Sequence, residues 1–152
     1  MAEIAEDQPL IEPGTAWIRQ LWAPMIERQD YGLQGLHPAL LDNVMRAHAT
    51  LNIPTDFTSL NNLYLIVYPA ATVPVTINVT ISFGQNGQAW NTRTQAANVV
   101  TAMVAGVFTS IDLVTTFGAL LANLAAGDHM FVVARNQVVT QITVYGLDAR
   151  YS

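Results

Sequence analysis

The sequence predicts an all-β protein: an antiparallel β-sandwich of the jelly-roll kind, with one short helix and an extended N-terminal arm. Three observations carry this. Val75, Ile77, Val79, Ile81 and Phe83 alternate with Thr76, Asn78, Thr80 and Ser82, the period of two expected of a strand with one buried face. Turn residues punctuate the chain from residue 54 onward, marking about seven or eight strands at the spacing usual for sandwiches. Charged residues are only 11% of the chain, against roughly a quarter in ordinary soluble domains. The predicted strand faces carry Thr, Asn and Gln instead.

Residues 1–14 are acidic (Glu3, Glu6, Asp7, Glu12), contain Pro9 and end in Pro13-Gly14. Such a segment does not fold alone. It is either a solvated tail or an arm that orders on a neighbouring subunit. Residues 15–52 form a second, partly irregular segment, expected to pack on the sandwich or on a neighbour. Trp17, Ile18, Leu21, Trp22, Met25 and Ile26 recur at helical spacing, but Pro24 interrupts them; a kinked helix and an irregular β-segment both fit. Residues 38–46, with Pro38 at their start, suit a short helix. Residues 47–53 read as a strand ended by Pro54.

The jelly-roll domain is expected over residues 53–152. Residues 63–68 are apolar on both faces, as in a strand covered on both sides. After the 75–83 strand, Gln85-Asn86-Gly87-Gln88 supplies a hairpin turn, and residues 89–95, carrying Trp90, form the returning strand. Residues 99–104 and 107–113 read as two strands broken at Gly106. Phe117, Leu120, Leu121 and Leu124 predict a helix over 115–125, stopped by Gly127. Residues 129–135 and 138–147 close the domain as a strand pair around Asn136-Gln137.

Composition excludes several functions. The six basic residues are all Arg, scattered from Arg19 to Arg150, and the formal net charge is −5. That argues against nucleic-acid binding, which needs several phosphate contacts on one face. No cysteine is present, so disulfides and thiolate metal sites are absent. The apolar stretch 99–126 is interrupted by Thr101, Thr109, Ser110, Asp112, Thr115 and Thr116, which argues against a membrane span. Residues 1–13 lack the basic start and apolar run of a signal peptide.

Catalytic signals are equally thin. His37, His48 and His129 form no metal-binding spacing. Asp128 and His129, as neighbours on a strand, would point to opposite faces. No serine lies in a Gly-x-Ser-x-Gly elbow, and no glycine-rich phosphate loop exists. Asp112 and Asp128 are better read as caps of a helix and a turn than as hydrolytic carboxylates. The expectation is a protein without enzymatic activity, cofactor or metal. The candidate ligand or interface residues are Trp90 with the polar hairpin Asn86, Gln88 and Asn91, together with Trp17 and Trp22. Indole faces suit stacking on a sugar ring, yet Trp is also enriched at subunit interfaces.

The last third runs Gly106-Val107-Phe108-Thr109-Ser110-Ile111-Asp112-Leu113, then Ala125-Ala126-Gly127-Asp128-His129-Met130-Phe131-Val132-Val133, then Val144-Tyr145-Gly146-Leu147 near Tyr151; Ile53-Pro54-Thr55-Asp56-Phe57 lies upstream. This cadence resembles the jelly-roll domains of tailed-phage virion proteins, such as capsid decoration proteins and fibre tips. The resemblance rests on fold-building residues and supports fold more than role. It implies a homotrimeric virion structural protein that cements or decorates a capsid surface, with itself and a capsid or other virion protein as partners. The alternative is a receptor- or carbohydrate-binding fibre tip, for which the residues themselves offer Trp90 and the Asn86–Asn91 hairpin as the platform.

Overall fold

The computed structural model describes residues 18–29, 32–36, 39–41 and 46–152. Among them lie eleven strands and one helix: β1 Arg19–Pro24, β2 Ile26–Gln29, β3 Gly32–Leu36, β4 Ala39–Leu41, β5 Arg46–Asn52, β6 Leu60–Pro69, β7 Pro74–Gly84, β8 Arg93–Ala102, β9 Thr109–Asp112, α1 Leu113–Leu121, β10 His129–Asn136 and β11 Ile142–Tyr151. One sheet has the order β1-β11-β6-β9, with β4 also paired to β11. The other has the order β3-β2-β5-β10-β7-β8. Every pairing is antiparallel.

Eight of these strands wind as a jelly roll. Counted along the chain (β1, β5, β6, β7, β8, β9, β10, β11), they are ordered 1-8-3-6 in one sheet and 2-7-4-5 in the other, the two interlocked Greek keys of that fold. The segment 53–152 supplies six of the eight; β1 and β5 come from within residues 15–52. Strands β2, β3 and β4 are inserted between the first and second strands of the roll. The N-terminal arm, residues 1–14, lies outside the described residues.

The core follows from alternation. On β7, Val75, Ile77, Val79, Ile81 and Phe83 are all buried, while Thr76, Asn78 and Thr80 are half-exposed. Met130, Val132 and Ala134 of β10 and Ala47, Ala49 and Leu51 of β5 continue that inner face. Leu63, Leu65 and Val67 of β6, Ile111 of β9, and Ile142, Val144, Leu147 and Ala149 of β11 answer it from the other sheet. Burying such side chains contributes about 1.5–3 kcal/mol for each large one.

Helix α1 closes the sandwich between β9 and β10. Its N-cap is Asp112, whose Oδ1 accepts from the backbone N–H of Val114 at 2.9 Å and Thr115 at 3.4 Å. Such a cap stabilises by about 1 kcal/mol. Leu113, Phe117 and Leu121, spaced one turn apart, form its buried face against the core, and the helix packs on β6 and β8.

Several expectations are corrected. Residues 19–24 and 26–29 are strands, so of the two readings for that segment the β one holds. The predicted helix over 38–46 is replaced at 39–41 by β4, which pairs with β11, and at 46 by the start of β5. Residues 89–95 and 99–104 are not separate strands; β8 is one strand, because its whole length from 93 to 102 pairs with β7. Trp90 therefore lies in the β7–β8 connection, not on a returning strand. The helix ends at Leu121, with Ala122 as its C-cap. Gly127, with φ of 83°, serves instead the turn into β10, where Asp128 N–H donates to the Ala125 carbonyl at 3.1 Å.

Candidate functional site

Two surfaces carry side chains that the core does not need. The first is a cleft of about 720 Å³ at the mouth of the β5-β10-β7 surface, roofed by the β7–β8 connection. That size is usual for small-molecule sites. The connection makes two successive turns: Gln88 N–H donates to the Gln85 carbonyl at 3.0 Å, and Thr92 N–H to the Ala89 carbonyl at 3.1 Å. Gly87, with φ of 88°, permits the first. Gly84 permits the second, since a Cβ there would lie 2.5 Å from the Ala89 carbonyl oxygen.

Trp90 stands on the second turn with 67% of its surface exposed. Its ring stands perpendicular to that of Phe131 of β10, with centroids 6.4 Å apart and planes at 87°. This T-shaped contact holds the indole in one attitude. Below it, His129 spans the cleft. Its Nδ1 lies 2.8 Å from Asn52 Oδ1 of β5, and its Nε2 lies 2.8 Å from Asn86 Oδ1 of the connection. Which ring nitrogen donates depends on the tautomer and on which way each amide is turned. Either way, His129 is a strut tying the connection to the sheet. Gln85 adds a bond to the Ala126 carbonyl at 3.4 Å, and its backbone N–H donates to Gln88 Oε1 at 3.0 Å. Among the described residues lining the cleft, none is Asp, Glu, Lys or Arg.

The second surface is the outer face of the β1-β11-β6-β9 sheet. A bulge separates Val144 from Gly146 in the β11–β6 register, so Tyr145 and Gly146 both turn outward. Trp22 of β1 lies across Gly146: a Cβ there would overlap the indole. From Trp22 the aromatics form a chain. Trp22 and Tyr145 centroids are 5.2 Å apart, Tyr145 and Phe108 5.5 Å, and Phe108 and Tyr68 5.2 Å. Trp22, Tyr145 and Phe108 remain 44%, 39% and 61% exposed, and Val104 and Val107 are exposed beside Phe108 in the chain. Aromatic side chains grouped on a surface mark contact sites.

Two of the arginines, far apart in sequence, meet across the β5–β10 pairing. Arg28 of β2 is in register with Arg46 of β5, and Arg46 with Arg135 of β10. Arg46 and Arg135 are exposed, and neither has an ion pair with a described residue. Like charges directly opposite each other are destabilising unless something neutralises them.

The structure thus brings Asn86, Gln88 and Trp90 into one cleft. Asn91 is exposed on the same connection but does not line it. Trp22 belongs to the opposite sheet, so no platform joins it to Trp90, and Trp17 lies outside the described residues. Asn52, His129 and Phe131 were missed as partners of Trp90 because only the β5–β10 register juxtaposes them. Asp112 and Asp128 act as caps: Asp128 is buried, its Oδ2 accepting from Ala125 N–H at 2.8 Å. Among the described residues no three His, Cys, Asp or Glu side chains gather as a metal group, and no helix is long and apolar enough to cross a membrane. No protein-family model and no curated protein matches the chain.

Proposed function

We propose that the protein is a non-enzymatic structural subunit that assembles with copies of itself, and that it serves as a capsid decoration subunit on a phage virion. The observation that carries self-assembly is the aromatic chain Trp22–Tyr145–Phe108–Tyr68 on the outer sheet face, the first three of them exposed. Scarcity of charge supports it, because an isolated subunit normally keeps a mixed, charged surface for solubility. The trimer and the virion location rest on the phage-like cadence of residues 53–152.

Light scattering on the full chain tests the assembly. A stable oligomer at micromolar concentration, three chains in mass, is the expected result. Trp22→Ser combined with Phe108→Ser should yield folded monomer, because both side chains are exposed and the core is untouched. A wild-type monomer, or an oligomer indifferent to the double substitution, would overturn the reading.

The arginine row offers a second contact. Residues 1–14 carry Glu3, Glu6, Asp7 and Glu12, a charge complement for Arg46 and Arg135 on a neighbour. Deleting residues 1–14 should therefore weaken assembly at low ionic strength, and raising salt to about 1 M should erase the difference between the two proteins by screening. If the truncated chain assembles as tightly as the full one in low salt, the acidic segment has no part in the contact.

A further inference from the structure

We infer that the cleft beneath Trp90 is a binding site for a neutral carbohydrate, one pyranose ring stacking on the indole while its hydroxyls bond to the amides of Asn86, Gln88 and Asn52. This goes beyond the assembly reading and does not depend on it. Four features point to that ligand class. Trp90 presents its ring to solvent instead of to the core, and a perpendicular contact with Phe131 orients it. The C–H face of a pyranose carries slight positive charge and matches the negative face of an aromatic ring. The polar groups around the ring are amides; Asn52 and Asn86 each give one polar atom to His129 and Gln88 gives its oxygen to the Gln85 N–H, which leaves the other polar atom of each to meet a sugar hydroxyl. No carboxylate, Lys or Arg is among the described lining residues, so the cleft lacks the groups that hold a calcium-bridged sugar, a sialic acid or a phosphate.

Pre-organisation strengthens the case. A loop that must order on binding loses affinity to that ordering. Here the connection is already braced, by the His129 strut to Asn52 and Asn86 and by the Gln85–Gln88 turn. His129 is a positioning residue: its nitrogens face the two asparagines, and it acts on a ligand through them.

The test is a glycan array probed with the full-length wild-type protein, followed by calorimetric titration with the best neutral glycan. Binding to one or more neutral glycans and to no purely anionic set is expected. Trp90→Ala should weaken that binding about ten-fold or more, while Trp90→Phe, which keeps a stacking face, should retain part of it. Asn86→Ala should also weaken it, and Asn91→Ala should leave it unchanged. Circular dichroism and light scattering on each variant separate loss of the site from loss of fold or of assembly. If no neutral glycan binds at millimolar concentration, the inference falls. It falls equally if Trp90→Ala leaves binding intact, or if Trp90→Ala changes the oligomer mass while no glycan binds, which would make the cleft a subunit contact.

Discussion

Phe117→Ala is expected to lower the stability of the fold by about 3–5 kcal/mol, the usual range for truncating a fully buried phenylalanine. Phe117 has no exposed surface and lies midway between Leu113 and Leu121 on the buried face of α1. Its own backbone departs from helical geometry, with φ of −107° and ψ of 17°, so the helix kinks where this ring enters the core. Folded domains are typically stable by only about 5–15 kcal/mol, and the variant would lose a large share of that. Urea unfolding at one fixed protein concentration measures the loss; the concentration must be held because an oligomer adds its own dependence on it. A loss below about 1 kcal/mol would show that α1 decorates the end of the sandwich and does not seal it. The expected loss is larger because β9 is only four residues long and leaves the interior between β6 and β8 to be closed by something else.

How much of this was legible in the sequence depends on what each strand shows to solvent. On β7 the outer face is Thr, Asn and Ser, so alternation is plain and the strand is found to within a residue at each end. On β1 the outer face includes Trp22 while Leu21 and Ala23 face inward, and Pro24 separates them from the buried Met25 just past the strand. Apolar residues on both faces erase the period of two and mimic helical spacing. On β8, Ala96 and Val100 face outward while Ala97 and Val99 face inward; the small apolar residues on both sides made one strand read as pieces of two. Caps were easier, since Asp112 and Asp128 act on backbone groups within three residues. The cleft divides along the same line. Trp90, Asn86 and Gln88 are local and were found together. Asn52, His129 and Phe131 reach them only through β5–β10 and β10–β7 pairing, information carried by sheet register and by no local pattern. The arginine row escaped notice for the same reason.

Gly146→Ala should destabilise the fold by about 1–3 kcal/mol, the usual cost of forcing extra volume into a packed position, and should weaken assembly as well. The added methyl would overlap the Trp22 ring and lie 2.8 Å from the Ala23 carbonyl oxygen. The ring can swing away; the carbonyl belongs to β1, whose Ala23 and Pro24 pair with Leu147 and Gly146, and it moves only if that pairing loosens. Displacing Trp22 also separates it from Tyr145, breaking the aromatic chain at its first link. A double-mutant cycle isolates the two costs. On a Trp22→Ala background the ring is gone, so Gly146→Ala should cost less than in the wild type, with a coupling of roughly 0.5–3 kcal/mol between the two residues. It should still cost something, because the Ala23 carbonyl remains. Equal costs on both backgrounds would mean that the indole does not rest on Gly146. The same cycle read by light scattering bears on assembly: Gly146→Ala should shift the monomer–oligomer balance in the wild type and should do nothing further once Trp22 is absent. Gly146 touches any partner only through the indole it supports, so an effect on assembly that survives removal of Trp22 would place the contact elsewhere on the sheet.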